Sequence, residues 1–210
     1  MEESEQREKL LKGATELFMR YGLRSVSMDD IARQLGVSKK TIYQYFTDKD
    51  DMVATVVKSH MEREQEQFEE ITRVSKDAVD EMVRLSYRLK ESMRDTNPTV
   101  LYDMQKYHPR AWGEWLSFKN KVIRESIVRN LRSGMGEGYF RADLHLDIIA
   151  NMRLEAVQMG FDQNIFPRDK YSLPDVQVQL FEHFVQGVLT DKGRVLYQQY
   201  KEKTVELSNP

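Results

Sequence analysis

The first proline of this chain is Pro98, and the others are Pro109, Pro167, Pro174 and Pro210, so long stretches are free of helix breakers. Apolar residues within those stretches recur every three or four positions rather than alternating, which is the period of a helix that buries one face. The spacing predicts an all-α chain of about nine or ten helices. A first helix carries Leu10, Ala14, Leu17, Phe18 and Tyr21 on one face and stops at Gly22. A short helix follows, capped by Ser27 with Asp30 three residues on and with Ile31, Ala32 and Leu35 facing inward. Gly36 turns the chain, Ser38 caps a helix expected over about 39 to 46, and Thr47 or Asp48 caps a longer one bearing Met52, Val53, Val56, Val57, His60, Met61 and Phe68. Further helices are expected over about 75–95, 98–106, 110–132, 144–163 and 173–190, with a tail over about 191–207. The run Ser133-Gly-Met-Gly-Glu-Gly138 is expected to end a helix, and Phe166-Pro167 with Leu173-Pro174 to bracket another break.

The segment from Ser27 to Lys49 has the parts of a helix-turn-helix. In Leu35-Gly36-Val37-Ser38 the leucine and valine bury, the glycine takes a left-handed backbone and the serine caps the second helix. Such a second helix lies in the major groove, offering its N-terminal side chains to base edges. Lys39, Lys40 and Gln44 are the candidates for base contacts, since lysine suits guanine acceptors and glutamine an adenine edge. Thr41, Tyr43 and Tyr45 carry hydroxyls for phosphate or sugar, Ser27 offers a hydroxyl and nearby amides at a helix N-terminus, and Arg33 adds positive charge. With 32 Lys and Arg against 34 Asp and Glu, the net charge is −2, so a DNA-binding surface has to be a local basic cluster.

Leu17-Phe18, Gly22, Ser27, Ile31-Ala32, Leu35-Gly36-Val37-Ser38, Thr41-Ile42-Tyr43, Tyr45-Phe46 and Lys49 together resemble the signature of the TetR family of bacterial transcriptional regulators. The departure is Lys40, where a small residue is commoner. The resemblance spans about the first 60 residues and implies that Tyr43, Tyr45 and Lys49 touch the DNA backbone. It further implies a DNA-binding domain over 4–64 and a helical effector-binding and dimerisation domain over 65–207. The implied function is sequence-specific regulation, as a repressor released from a palindromic operator by a small, largely apolar effector. The implied mechanism is a dimer whose two recognition helices lose their operator spacing when effector binds and the long helix from about Lys49 to Ile71 shifts.

The remainder has apolar stripes and no motif. Ile149, Met152, Ala156 and Met159 in one segment, and Val176, Leu180, Phe184 and Val188 in the next, are candidates for a homodimer interface. Met82, Met93, Tyr102, Met104, Tyr107, Trp112, Trp115 and Phe118 are candidates for an adaptable apolar effector pocket, with Trp112 and Trp115 read as exposed at i, i+3. Two alternatives stay open: a second domain that only dimerises or binds a protein, and a helical-bundle enzyme. Against catalysis, His60, His108, His145 and His183 form no helical metal-ligand pattern, and Gly134, Gly136 and Gly138 lack the lysine of a phosphate loop. No cofactor or metal is expected. The charged N-terminus, the lack of any apolar run near the roughly 20 residues of a span, and the absence of cysteine point to a cytoplasmic protein without a membrane segment.

Overall fold

A computed structural model describes the backbone of residues 2–208 and the side chains of 4–203. The described residues form α1 (Glu2–Tyr21), α2 (Met28–Leu35), α3 (Lys39–Tyr43), α4 (Lys49–Val74), α5 (Ala78–Arg94), α6 (Val100–Tyr107), α7 (Pro109–Ser117), α8 (Arg124–Gly136), α9 (Leu146–Met159), α10 (Leu173–Val188) and α11 (Asp191–Ser208). A π-helical turn, Phe118–Ile123, joins α7 to α8 in one unbroken stretch. Two compact units result: residues 1–64 with 95–118, and residues 65–94 with 119–210.

In the first unit Leu10, Leu11, Ala14 and Phe18 of α1, Ile31 and Ala32 of α2, Ile42 of α3, and Met52, Val53, Val56 and Val57 of α4 are all buried, with α1 packed on α2 and α2 on α3. Tyr21 departs from the expected stripe: it is exposed at the C-terminal end of α1 and lies under the Arg20 guanidinium, 5.5 Å from its ring centre. The division expected at 64/65 is where the chain leaves this unit, yet residues 95–118 return to it. Polar anchors explain the return. Asn97 donates through its side chain to the Arg20 carbonyl at 3.3 Å, and the carboxylate of buried Asp103 accepts from the Arg24 amide at 3.2 Å. His108, also buried, meets Asp50 at 2.9 Å between Nδ1 and Oδ1. None of these partners is near in sequence.

The core of the second unit is built from Val79, Met82 and Val83 of α5, Leu131 of α8, Phe181, Phe184, Val185 and Val188 of α10, and Tyr197 of α11, closed by Phe140. Buried Glu81 joins α5 to α8: its carboxylate accepts from Asn130 Nδ2 at 2.8 Å, from Arg129 at 2.5 Å and from Thr72 Oγ1 at 3.0 Å. The glycine-containing run expected to end a helix is helical as far as Gly136. Gly134 is there for space, because its carbonyl accepts from the Tyr139 and Phe140 amides at 2.9 Å and the Phe140 ring occupies the place of a side chain.

Candidate nucleic-acid interface

Ser27 caps α2 as the spacing to Asp30 predicts. Its hydroxyl donates to Asp30 Oδ2 at 2.6 Å and accepts from the Asp30 amide at 3.2 Å, while its own amide donates to the same carboxylate at 2.9 Å. These hydrogen bonds hold the Asp30 carboxyl below its ordinary range. The hydroxyl expected on a phosphate is therefore already engaged, and the first-turn amides are what this end of α2 has to offer. Ser27→Ala removes a reciprocal cap and is expected to cost about 1 kcal/mol, measured by urea unfolding.

After α2, Gly36 adopts φ 64° and ψ 33°, the left-handed turn that aims the chain across the helix it leaves. Ser38 then caps α3, accepting from the Thr41 amide at 3.0 Å, with its hydroxyl 2.8 Å from that of Thr41. The recognition helix is shorter than expected. It closes at Tyr43, because Gln44 and Tyr45 donate to the carbonyls three residues back, of Thr41 and Ile42, and tighten the last turn. Ile42 and Phe46 are buried and lock this helix to the unit's core, whereas Lys39, Lys40, Tyr43 and Gln44 are exposed. Leu35 and Val37 are only half-buried.

Charge on this surface is less basic than composition-blind reading of the lysines suggests. The Lys39 ammonium sits 3.0 Å from Asp29, whose carboxylate raises its pKa, and Arg33 pairs with Asp30 at 3.1 Å. Lys40 has no acidic partner among the described residues. Tyr43 is 46% exposed, so it stands out from the helix rather than packing into it, and Tyr45 is half-buried. Lys49 opens α4 with its ammonium 3.5 Å from the Arg24 carbonyl, and burial lowers its pKa against the pull of Asp103 and Asp30. The anchors Asn97, Asp103 and His108 went unread in the sequence. Each binds a backbone group or side chain more than 50 residues away, which leaves no periodic signal.

The effector-pocket candidates divide between the units. Met82 is in the core of the second and Met93 is half-buried there, while the other six belong to the first. Tyr102 and Tyr107 lie on the surface, their rings spanned by the Lys106 ammonium at 5.2 and 5.3 Å. Trp115 is buried, contrary to its expected exposure, and packs on Phe118 with ring centres 6.2 Å apart. Met104 is buried beside them in sequence, and Trp112 is half-buried.

The dimer candidates also separate. Met152 and Met159 of α9 are exposed, together with Ile148, and Ile149, Ala156 and Leu180 are half-buried. Val176, Phe184 and Val188 are buried within their own unit, because the apolar stripe of α10 faces the chain's own core. A shallow groove in the same unit runs beside α10, lined by Phe166, Tyr171, Val176 and Leu180 among others. Among the described residues no helix is long and apolar enough to cross a membrane.

Two capped helices set across a left-handed turn, with a short exposed second helix bedded on an apolar core, define a helix-turn-helix DNA-binding protein. Residues 10–56 match the family model described as bacterial regulatory proteins, tetR family. This segment is the DNA-binding module of tetR-type bacterial regulatory proteins. The chain is 22% identical over 180 residues to the HTH-type transcriptional regulator YvaF of Bacillus subtilis, covering 80% of this chain and 88% of YvaF. It is 25% identical over 146 residues to the HTH-type transcriptional repressor KstR2 of Mycobacterium tuberculosis, covering 68% of this chain and 73% of KstR2. The solved structure of KstR2, a ketosteroid transcriptional regulator, shares the fold with TM-score 0.62 at 21% identity, over 88% of this chain and 95% of its own. A TetR-family regulator from Agrobacterium tumefaciens superposes with TM-score 0.76 at 13% identity, over 90% of this chain and all of its own.

Proposed function

We propose that this protein is a cytoplasmic, non-enzymatic repressor that binds double-stranded DNA as a homodimer at a palindromic operator and leaves it when the second unit takes up a small, largely apolar effector. The observation that carries the DNA half is the exposure of Lys40, Tyr43 and Gln44 on a short helix whose Ile42 is buried. Lys40 and Gln44 read base edges, Tyr43 and Lys49 hold phosphates, and Lys39 and Arg33 exchange their aspartates for phosphate on binding. The exposed apolar stripe Ile148, Met152 and Met159 of α9, with half-buried Leu180 on α10, supports a dimer. A dimer reads two half-sites about 34 to 36 Å apart, one turn of DNA, so a modest change in that spacing releases it. The repressor sign and the apolar effector draw support from KstR2, a repressor and ketosteroid regulator.

Selection of bound genomic fragments at controlled salt tests this reading, because affinity that comes from phosphates falls with salt while base contacts set the ranking of sequences. The expected result is a palindrome with half-sites one helical turn apart. Tyr43→Ala and Lys49→Ala should weaken all sites alike, the lysine change also reducing the salt slope by about 1. Lys40→Ala or Gln44→Ala should instead change the preferred sequence. Binding without sequence preference at physiological salt would defeat the proposal.

A further inference from the structure

Arg153, on α9 of the second unit, is 5% exposed. Its guanidinium lies over two rings of α10, with centres 4.9 Å away for Phe181 and 5.9 Å for Phe184, and Nη1 has no hydrogen-bond partner. No carboxylate pairs with it among the described ion pairs, and burial alone lowers its pKa to about 10. A guanidinium carries five donors in a fork shaped for an oxyanion, and it remains charged at neutral pH even here. Contact with ring faces offsets part of the cost of burying that charge but leaves Nη1 without an acceptor. A second buried cation held against α9 is already neutralised: Lys119 donates to Glu155 at 2.7 Å and to Gln158 at 2.9 Å. One turn before Phe181, Gln177 is fully buried and has an unpartnered Oε1, its Nε2 being given to the Val157 carbonyl at 2.8 Å. The inner faces of α9 and α10 thus hold an unserved cationic donor and an unserved acceptor against aromatic rings.

We propose that Arg153 anchors the carboxylate of a monoanionic, otherwise apolar ligand whose body packs on Phe181 and Phe184. Charge balance selects the headgroup. One uncompensated cation is neutralised by one carboxylate, whereas a phosphate dianion would leave a net negative charge in the same apolar surroundings. A carboxylate also accepts both parallel N–H groups of the guanidinium, and the apolar remainder of the ligand matches the two rings. The inference rests on the reading that the second unit takes a small effector, and it specifies that effector's chemistry.

The full-length protein is titrated, below the micelle threshold, with octanoate, dodecanoate and hexadecanoate, with the matching alcohols, with dodecyl phosphate and with inorganic phosphate, following melting temperature and direct binding. At least one acid is expected to raise the melting temperature and to bind about tenfold or more tightly than its alcohol, with dodecyl phosphate weaker and inorganic phosphate inert. Arg153→Met is expected to melt higher than the wild type without ligand, because it removes an uncompensated buried charge, and to bind acid and alcohol alike. Arg153→Lys, which keeps the charge but loses the fork, should retain a reduced preference for acids even if the methionine variant folds poorly. Equal binding of acids and alcohols by the wild type, no binding of any acid, a preference for dodecyl phosphate, or a preference for acids that survives Arg153→Met would each overturn the proposal. In those cases the guanidinium is served by internal water or by the rings alone. The fragment selection described above is scored separately. DNA recognition with no preference for acids defeats this inference only, and Arg153-dependent binding of acids without DNA recognition defeats only the regulatory reading.

Discussion

Phe46→Ala is expected to destabilise the first unit by about 3 to 5 kcal/mol and to abolish DNA binding with it, although Phe46 touches no DNA. The ring is 1% exposed, closes the core behind the recognition helix and carries the Arg7 guanidinium 5.7 Å from its centre on the outer side. Truncation leaves a cavity under α3, which is too short to hold its position by its own backbone hydrogen bonds. The control is Tyr43→Ala, three residues away and exposed. It should change urea stability by no more than about 0.5 kcal/mol while lowering affinity for all operator sequences. Denaturant titration alongside DNA binding separates the two: equal stability for wild type and Phe46→Ala would show that the helix is not seated as described.

Glu81→Ala should cost the second unit about 3 kcal/mol, because the loss is not confined to one ion pair. Glu81 is 6% exposed and its carboxylate serves Asn130, Arg129 and Thr72 together. The guanidinium of Arg129 is half-exposed and recovers water, but Asn130 is 2% exposed and can fall back only on the Ala78 carbonyl at 3.1 Å. A buried amide donor left short of a partner costs more than a surface salt bridge contributes. Glu81→Gln keeps one acceptor oxygen for Asn130 and is expected to lose about half as much. Thermal or denaturant unfolding of the two variants checks the order, and an alanine variant as stable as the wild type would mean that α5 and α8 are held by apolar packing alone.

The two variants probe different kinds of information. Phe46 was placeable from sequence because it belongs to a dense local pattern: Ser27, Gly36 and Ser38 set the caps and the turn, and each acts within four residues of itself. Local hydrogen bonds and the 3.6-residue period are written in neighbouring residues, so the all-α class, both caps and the buried Leu10, Ala14 and Phe18 of α1 and Met52, Val53, Val56 and Val57 of α4 could be read directly. Leu17, His60, Met61 and Phe68, expected on the same stripes, are only half-buried. Where local rules competed, the reading slipped. Tyr21 fits the stripe of α1 but is its last residue and exposed, and Gly134 looks like a helix stop but is the space that Phe140 fills.

By itself the sequence determined that this chain is helical, that residues 27–49 form a helix-turn-helix, and which of their side chains are candidates for DNA contact. The tertiary structure decided what those side chains are doing before DNA arrives, with Ser27, Arg33 and Lys39 already held by Asp29 and Asp30. It alone decided that residues 95–118 return to the first unit, that the apolar stripe of α10 with Val176, Phe184 and Val188 faces its own core, and that Arg153 is a buried cation with no carboxylate partner among the described residues. The physical reason is range. Caps and periods act over a few residues, whereas burial, ion pairing and the absence of a partner depend on chain segments tens of residues apart, which only the folded molecule brings together.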